Sequence, residues 1–123
     1  MWSVIRLAVG LARGEALDEF AVSARRVLQM ATIDGARALG LGAVTGSLTP
    51  GKRADLVMVR ADSVHTAPLT DPASTMALAA GAEDVDTVVV DGRILKRHGR
   101  LTTLDADRIA RDTSRALAAL LAR

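Results

Sequence analysis

The chain has 123 residues, with 16 basic and 14 acidic side chains and a net charge of +2. Half of its residues are apolar and only 2% are aromatic, a balance that fits neither a disordered chain nor a strongly basic nucleic-acid binder. It contains no cysteine, which excludes a disulfide scaffold, a cysteine zinc site and a thiol nucleophile.

Trp2 to Arg13 reads as a helix, with Val4, Leu7, Ala8, Leu11 and Ala12 at helical spacing and Gly14 placed to end it. Ser23 is a good N-cap for a second helix carrying Val27, Leu28 and Ala31. Thr32 can cap a short third helix, Ile33 to Leu39, stopped by Gly40 or Gly42. The texture changes at Ala43. Thr49-Pro50-Gly51 is turn chemistry. Ala54 to Arg60 reads as a strand whose near-continuous apolar run predicts burial on both faces. Asp71-Pro72 opens a short helix to Ala80, stopped by Gly81. Val85 to Val90 and Arg93 to Arg97 form a hairpin across Asp91-Gly92. His98-Gly99 turns the chain into a short strand around Leu101. Asp105 or Asp107 caps a last helix, with Ile109, Thr113, Ala116, Leu117, Leu120 and Leu121 as its stripe and Arg108, Arg111 and Arg115 on its wet face.

Candidate chemistry is thin. The histidines, His65 and His98, stand in loops and belong to no H-x-H or H-E-x-x-H pattern. Ser47 lies in a turn, outside any G-x-S-x-G arrangement. Gly40-Leu41-Gly42 follows a helix, whereas a phosphate loop precedes one. The carboxylate pairs Asp84/Asp86 and Asp105/Asp107 each precede an element, where acids cap or keep an edge soluble. Ser23 to Gly42, with Arg25, Arg26 and Arg37, can be read as a helix-turn-helix DNA-binding or interaction module. However, Ile33 to Leu39 offers few polar side chains to read bases.

Two runs carry a more specific signal. Met30-Ala31-Thr32-Ile33-Asp34-Gly35-Ala36-Arg37-Ala38-Leu39-Gly40-Leu41 is followed by Thr45-Gly46-Ser47-Leu48-Thr49-Pro50-Gly51-Lys52-Arg53-Ala54-Asp55-Leu56-Val57. Together with Val85 to Arg93 they resemble the C-terminal region of the amidohydrolase superfamily, in its cytosine-deaminase-like and chlorohydrolase-like branch.

The resemblance implies a hydrolase of non-peptide C–N bonds, with a metal-bearing (β/α)₈ barrel and a small β-sandwich built from both chain ends. It implies an α+β piece of that architecture. Residues 1–44 would be helices following the last barrel strand, 45–104 half of the sandwich, and 105–123 a C-terminal helix. The family's metal ligands, for zinc or iron, match no position of this sequence. The expectations are therefore no catalytic, cofactor-binding or metal residue in this chain, and no hydrolase activity alone.

One strand plus a hairpin cannot cover itself. The open sheet is expected to be completed by another copy, as a homo-oligomer, or by an N-terminal barrel polypeptide. The absence of an apolar span or signal pattern leads us to expect a cytoplasmic protein with no membrane or nucleic-acid partner.

Overall fold

The computed structural model describes residues 2–18 and 21–122; Phe20, one of the two aromatics, lies outside them. Helix α1 (Trp2–Ala16) forms as expected but runs through Gly14. It ends in a paired-bond cap, with Leu17 N–H on the Gly14 carbonyl at 3.4 Å and Asp18 N–H on the Arg13 carbonyl at 3.2 Å. Leu17 adopts φ +50° there, in the left-handed position usually given to glycine.

The buried face of α1 differs from the expected one. Ile5 and Val9 are buried, whereas Val4, Leu7 and Leu11 are 67%, 61% and 62% exposed. The helix is apolar almost all round, so periodicity alone does not choose a face. Neighbouring helices make that choice.

Ser23 caps α2 (Ala24–Gln29) as expected, accepting the Arg26 N–H at 3.2 Å. No turn follows it. A π-helical segment (Met30–Asp34) and α3 (Gly35–Ala38) continue the same helical run. Thr32 is therefore not a cap. Its hydroxyl donates to the Leu28 carbonyl at 2.6 Å, which satisfies the hydroxyl inside a helix. A helix-turn-helix needs a break that this run does not contain.

Asp71 and Pro72 open α4 (Pro72–Ser74) as expected, with Ser74 N–H on Asp71 Oδ2 at 2.8 Å. A second π segment (Thr75–Ala79) extends it. These helical runs pack together around Ile5, Val9, Ala24, Val27, Ala73 and Ala77. Half of that cluster is alanine. Three larger aliphatic side chains, at about 1.5–3 kcal/mol each, make a slender core.

The sheet is antiparallel, in the order β1 (Leu56–Val59), β2 (Val85–Val90), β3 (Arg93–Arg97) and β4 (Arg100–Leu101). Two tight turns set its register. Asp91 and Gly92 have φ +50° and +76°, and His98 and Gly99 +50° and +75°, the paired positive values of a type I′ hairpin turn. Strand β1 does not have the expected burial on both faces. It is an edge strand, and Val57 and Met58 are 52% and 57% exposed. Even the central strand β2 contains no fully buried residue.

Helix α5 (Ala106–Leu121) is capped by Asp105, which accepts the Arg108 N–H at 2.9 Å. None of its residues is buried. No helix among the described residues is long and apolar enough to cross a membrane.

Candidate functional site

Among the described residues, one group gathers three side chains of metal-ligating type: His65, Glu83 and Asp84. The chain builds it from two segments. After β1, the Ser63–Thr66 turn is closed by Thr66 N–H on the Ser63 carbonyl at 3.1 Å and by Ser63 N–H on Thr66 Oγ1 at 3.1 Å. This turn presents His65. Before β2, a single 3₁₀ turn (Ala82–Asp84) folds the Asp84 carboxylate back onto the Gly81 N–H at 2.8 Å. Arg60 N–H on the Asp84 carbonyl at 2.9 Å ties the end of β1 to the same turn.

Asp84 is the centre of the group and is 1% exposed. Its Oδ1 accepts the Ser63 hydroxyl at 2.8 Å, and its Oδ2 contacts His65 Nε2 at 2.7 Å. The Ser63 proton is thus committed to the carboxylate. The 2.6 Å contact between Thr66 Oγ1 and Ser63 Oγ must then be donated by Thr66. A short relay runs from Thr66 through Ser63 to Asp84. Burial raises the Asp84 pKa, but the Gly81 N–H, the Ser63 hydroxyl and His65 outweigh it and hold the carboxyl below its ordinary value.

The arrangement is not a nucleophile triad. In a triad the histidine stands between serine and aspartate, whereas here the aspartate stands between the other two. Nor does it fit zinc. Two ligands on a tetrahedral zinc ion lie about 3.3 Å apart, whereas His65 Nε2 and Asp84 Oδ2 are at hydrogen-bond distance. Glu83 Oε1 stands 3.6 Å from His65 Nε2 and is exposed. The group is a clamp that joins the 63–66 turn to the start of β2.

The sequence reading placed His65 in a loop but found no partner for it, because Asp84 lies nineteen positions away and no local pattern links them. Asp84 and Asp86 do not act as a pair. Asp86 accepts the Thr87 hydroxyl at 2.7 Å and stands 3.8 Å from His98 Nδ1. That hydroxyl is the main influence holding its carboxyl below the ordinary value.

The signature runs also prove to be folding devices. Asp55 accepts the Asp91 N–H at 2.7 Å and the Thr45 hydroxyl at 2.8 Å, tying the β2–β3 turn to the start of β1. The Asp91 N–H, first, and the Thr45 hydroxyl lower its pKa. Lys52 Nζ donates to the Gly42 and Thr45 carbonyls. Gly51, at φ +90°, occupies the turn closed by Lys52 N–H on the Thr49 carbonyl at 3.2 Å. Arg26 and Arg37 both pair with Asp34.

Comparison with known proteins follows the same lines. The sequence profile of the amidohydrolase family matches residues 1–95. A 5-methylthioadenosine/S-adenosylhomocysteine deaminase of Moorella thermoacetica is 45% identical over 104 residues, covering 85% of this chain and 24% of that protein. A 5'-deoxyadenosine deaminase of Methanosarcina mazei is 41% identical over 103 residues, covering 84% and 23%. The solved structure of an adenosine deaminase from Xanthomonas campestris, with bound zinc, superimposes on all of this chain. The TM-score is 0.89 and the identity 33%, and the match takes in 28% of that chain. The chain therefore spans about a quarter of the length of the curated relatives it matches.

Proposed function

This chain belongs to the amidohydrolase family, and from that premise we propose that it is the C-terminal portion of a hydrolase acting on C–N bonds. The reaction is hydrolytic deamination of an adenine nucleoside: water adds at the amino-bearing ring carbon, and ammonia leaves. The observation that carries this reading is the 45% identity to a nucleoside deaminase over 85% of the chain.

In such a reaction a bound metal ion supplies an activated water. Among the described residues, the one group of metal-ligating type, His65–Glu83–Asp84, is closed by its own hydrogen bonds, and we place the metal site outside this chain. The work of this chain is architectural. Residues 1–44 supply helices that would follow the last barrel strand, 45–104 half of a β-sandwich, and 105–123 the terminal helix.

The chain alone is expected to be inactive. The test is loss of adenine absorbance with adenosine, 5'-deoxyadenosine, methylthioadenosine and S-adenosylhomocysteine, each with added Zn²⁺, Fe²⁺ or Mn²⁺. The chain is assayed alone and in place of the matched region of the Moorella deaminase. Turnover only in the chimera supports the reading. Metal-dependent turnover by the isolated chain, or an inactive but folded, zinc-loaded chimera, refutes it.

A further inference from the structure

The chain's two histidines both stand beside carboxylates around the start of β2, but only one of them is held. His65 Nε2 lies 2.7 Å from Asp84 Oδ2. His98 Nδ1 lies 3.8 Å from Asp86 Oδ1, beyond hydrogen-bond reach. Exposure runs the other way. The His65 side chain is 46% exposed and that of His98 79%.

The contacts of Asp84 fix which ring nitrogen of His65 carries the proton. Asp84 Oδ1 accepts the Ser63 hydroxyl, and Oδ2 accepts the Gly81 N–H. The carboxyl is held below its ordinary value, so near neutral pH it is ionised and has no proton to give. Nε2 is therefore the donor. The neutral ring keeps its lone pair on Nδ1, which makes no hydrogen bond with any described residue.

A carboxylate placed in this way does two things for an imidazole. It orients the ring through one nitrogen, and it stabilises the positive charge that develops when the other nitrogen forms a bond. Glu83 Oε1, 3.6 Å from Nε2, adds a second negative charge. Among the described residues, neither carboxylate pairs with a lysine or arginine. The surroundings of the ring are therefore anionic, and a negatively charged reagent is repelled.

We propose that His65 is an acyl-accepting site, with Nδ1 as its nucleophile and small, neutral, activated esters and anhydrides as its donors. The Nδ1 lone pair attacks the carbonyl carbon and a C–N bond forms. The C–O bond to the leaving group breaks, and its electron pair stays on that oxygen. The ring is positive at this point and is stabilised by Asp84. Its Nε2 proton then passes through water to the leaving oxygen. A neutral acylimidazole and a free alcohol or acid remain. The step uses only this chain's own side chains and is independent of the deaminase reading.

The test labels the full chain with a limiting amount of diethyl pyrocarbonate, a neutral anhydride, at about pH 8, where ordinary imidazoles are neutral. Mass spectrometry of the peptides reads each histidine separately. Exposure alone favours His98. The proposal expects His65 to react at least about fivefold faster, the effect of part of a charge-assisted hydrogen bond. Imidazole nitrogen NMR of the unlabelled chain should show His65 as the Nε2–H tautomer. Asp84→Asn should bring His65 down to the His98 rate or below and leave His98 unchanged. Should that variant fail to fold by far-UV circular dichroism, Glu83→Gln gives a second readout. Glu83 is exposed, and its loss should slow His65 about two- to fivefold. Acetyl phosphate, an anionic donor, should show no preference for His65. A rate order that follows exposure overturns the proposal, as does an Nδ1–H tautomer or a His65 rate unmoved in the variant that folds. A preference of acetyl phosphate for His65 overturns the neutral donor class.

Discussion

Gly46→Ala and Gly51→Ala ask the same backbone question in different surroundings. Gly46 has φ +87° and Gly51 has φ +90°, so an alanine at either is strained by about 1–2 kcal/mol. The space around them differs. A Cβ at Gly46 would lie 2.7 Å from the Ala36 Cβ, 3.0 Å from the Ile33 Cα and 3.1 Å from the Thr32 carbonyl oxygen. A Cβ at Gly51 would meet nothing within 4 Å. Two of the three contacts at Gly46 are backbone atoms of the 24–38 helical run, which cannot rotate out of the way as a side chain can. Forcing that run apart adds about 1–3 kcal/mol, as for overpacking in a core. Gly46→Ala is therefore expected to cost about 2–5 kcal/mol and Gly51→Ala about 1–2 kcal/mol. Urea midpoints at constant m, read by far-UV circular dichroism in the chain and in the chimera, check both. Equal losses, within about 0.5 kcal/mol, would show that the loop does not press on the helix and would refute the reasoning.

Three further expectations follow from the same structure. Leu17→Gly should stabilise the chain by about 1 kcal/mol, because Leu17 is 94% exposed and holds a positive φ that glycine adopts freely; an unchanged or lower urea midpoint would count against the cap. The Asp84 pKa is lowered in the folded state, so its contribution to stability is complete above about pH 4, the ordinary carboxyl range. That contribution is lost as the pH falls through the lower folded value. Asp84→Asn should therefore flatten the acid limb of a stability–pH profile below that range, and an unchanged limb would show that the clamp carries no charge-linked stability. Calorimetric titration of the chain with Zn²⁺ should show no stoichiometric site dependent on His65; binding lost in His65→Ala would show that the clamp opens to take a metal.

Much of the outline was legible because it rests on local chemistry. Asp71-Pro72, Ser23 and Asp105 cap helices wherever they stand before a helical stretch. Asp91-Gly92 and His98-Gly99 suit two-residue turns whatever surrounds them. The faces were not legible. Helix α1 carries apolar residues on two sides, and only contact with α2 and the Thr75–Ala79 segment chose Ile5 and Val9. The break expected at Thr32 did not occur, because a threonine hydroxyl caps a helix or bonds back within one, and the neighbouring helices decide which. The clamp was invisible for a related reason. His65, Ser63, Gly81 and Asp84 meet through a fold that joins two segments, and no spacing rule covers such a meeting.

By itself, then, the sequence determined the helix starts after Ser23, Asp71 and Asp105, the hairpin across Asp91-Gly92 and the family. Each depends on residues close together in the chain, or on runs long enough to be specific. The tertiary structure alone decided which faces are buried and that Asp84 holds Ser63 and His65. Burial is a property of what packs against a residue, and on β1, β2 and β3 nothing covers Val57, Met58, Val90 and Ile94, which stay exposed.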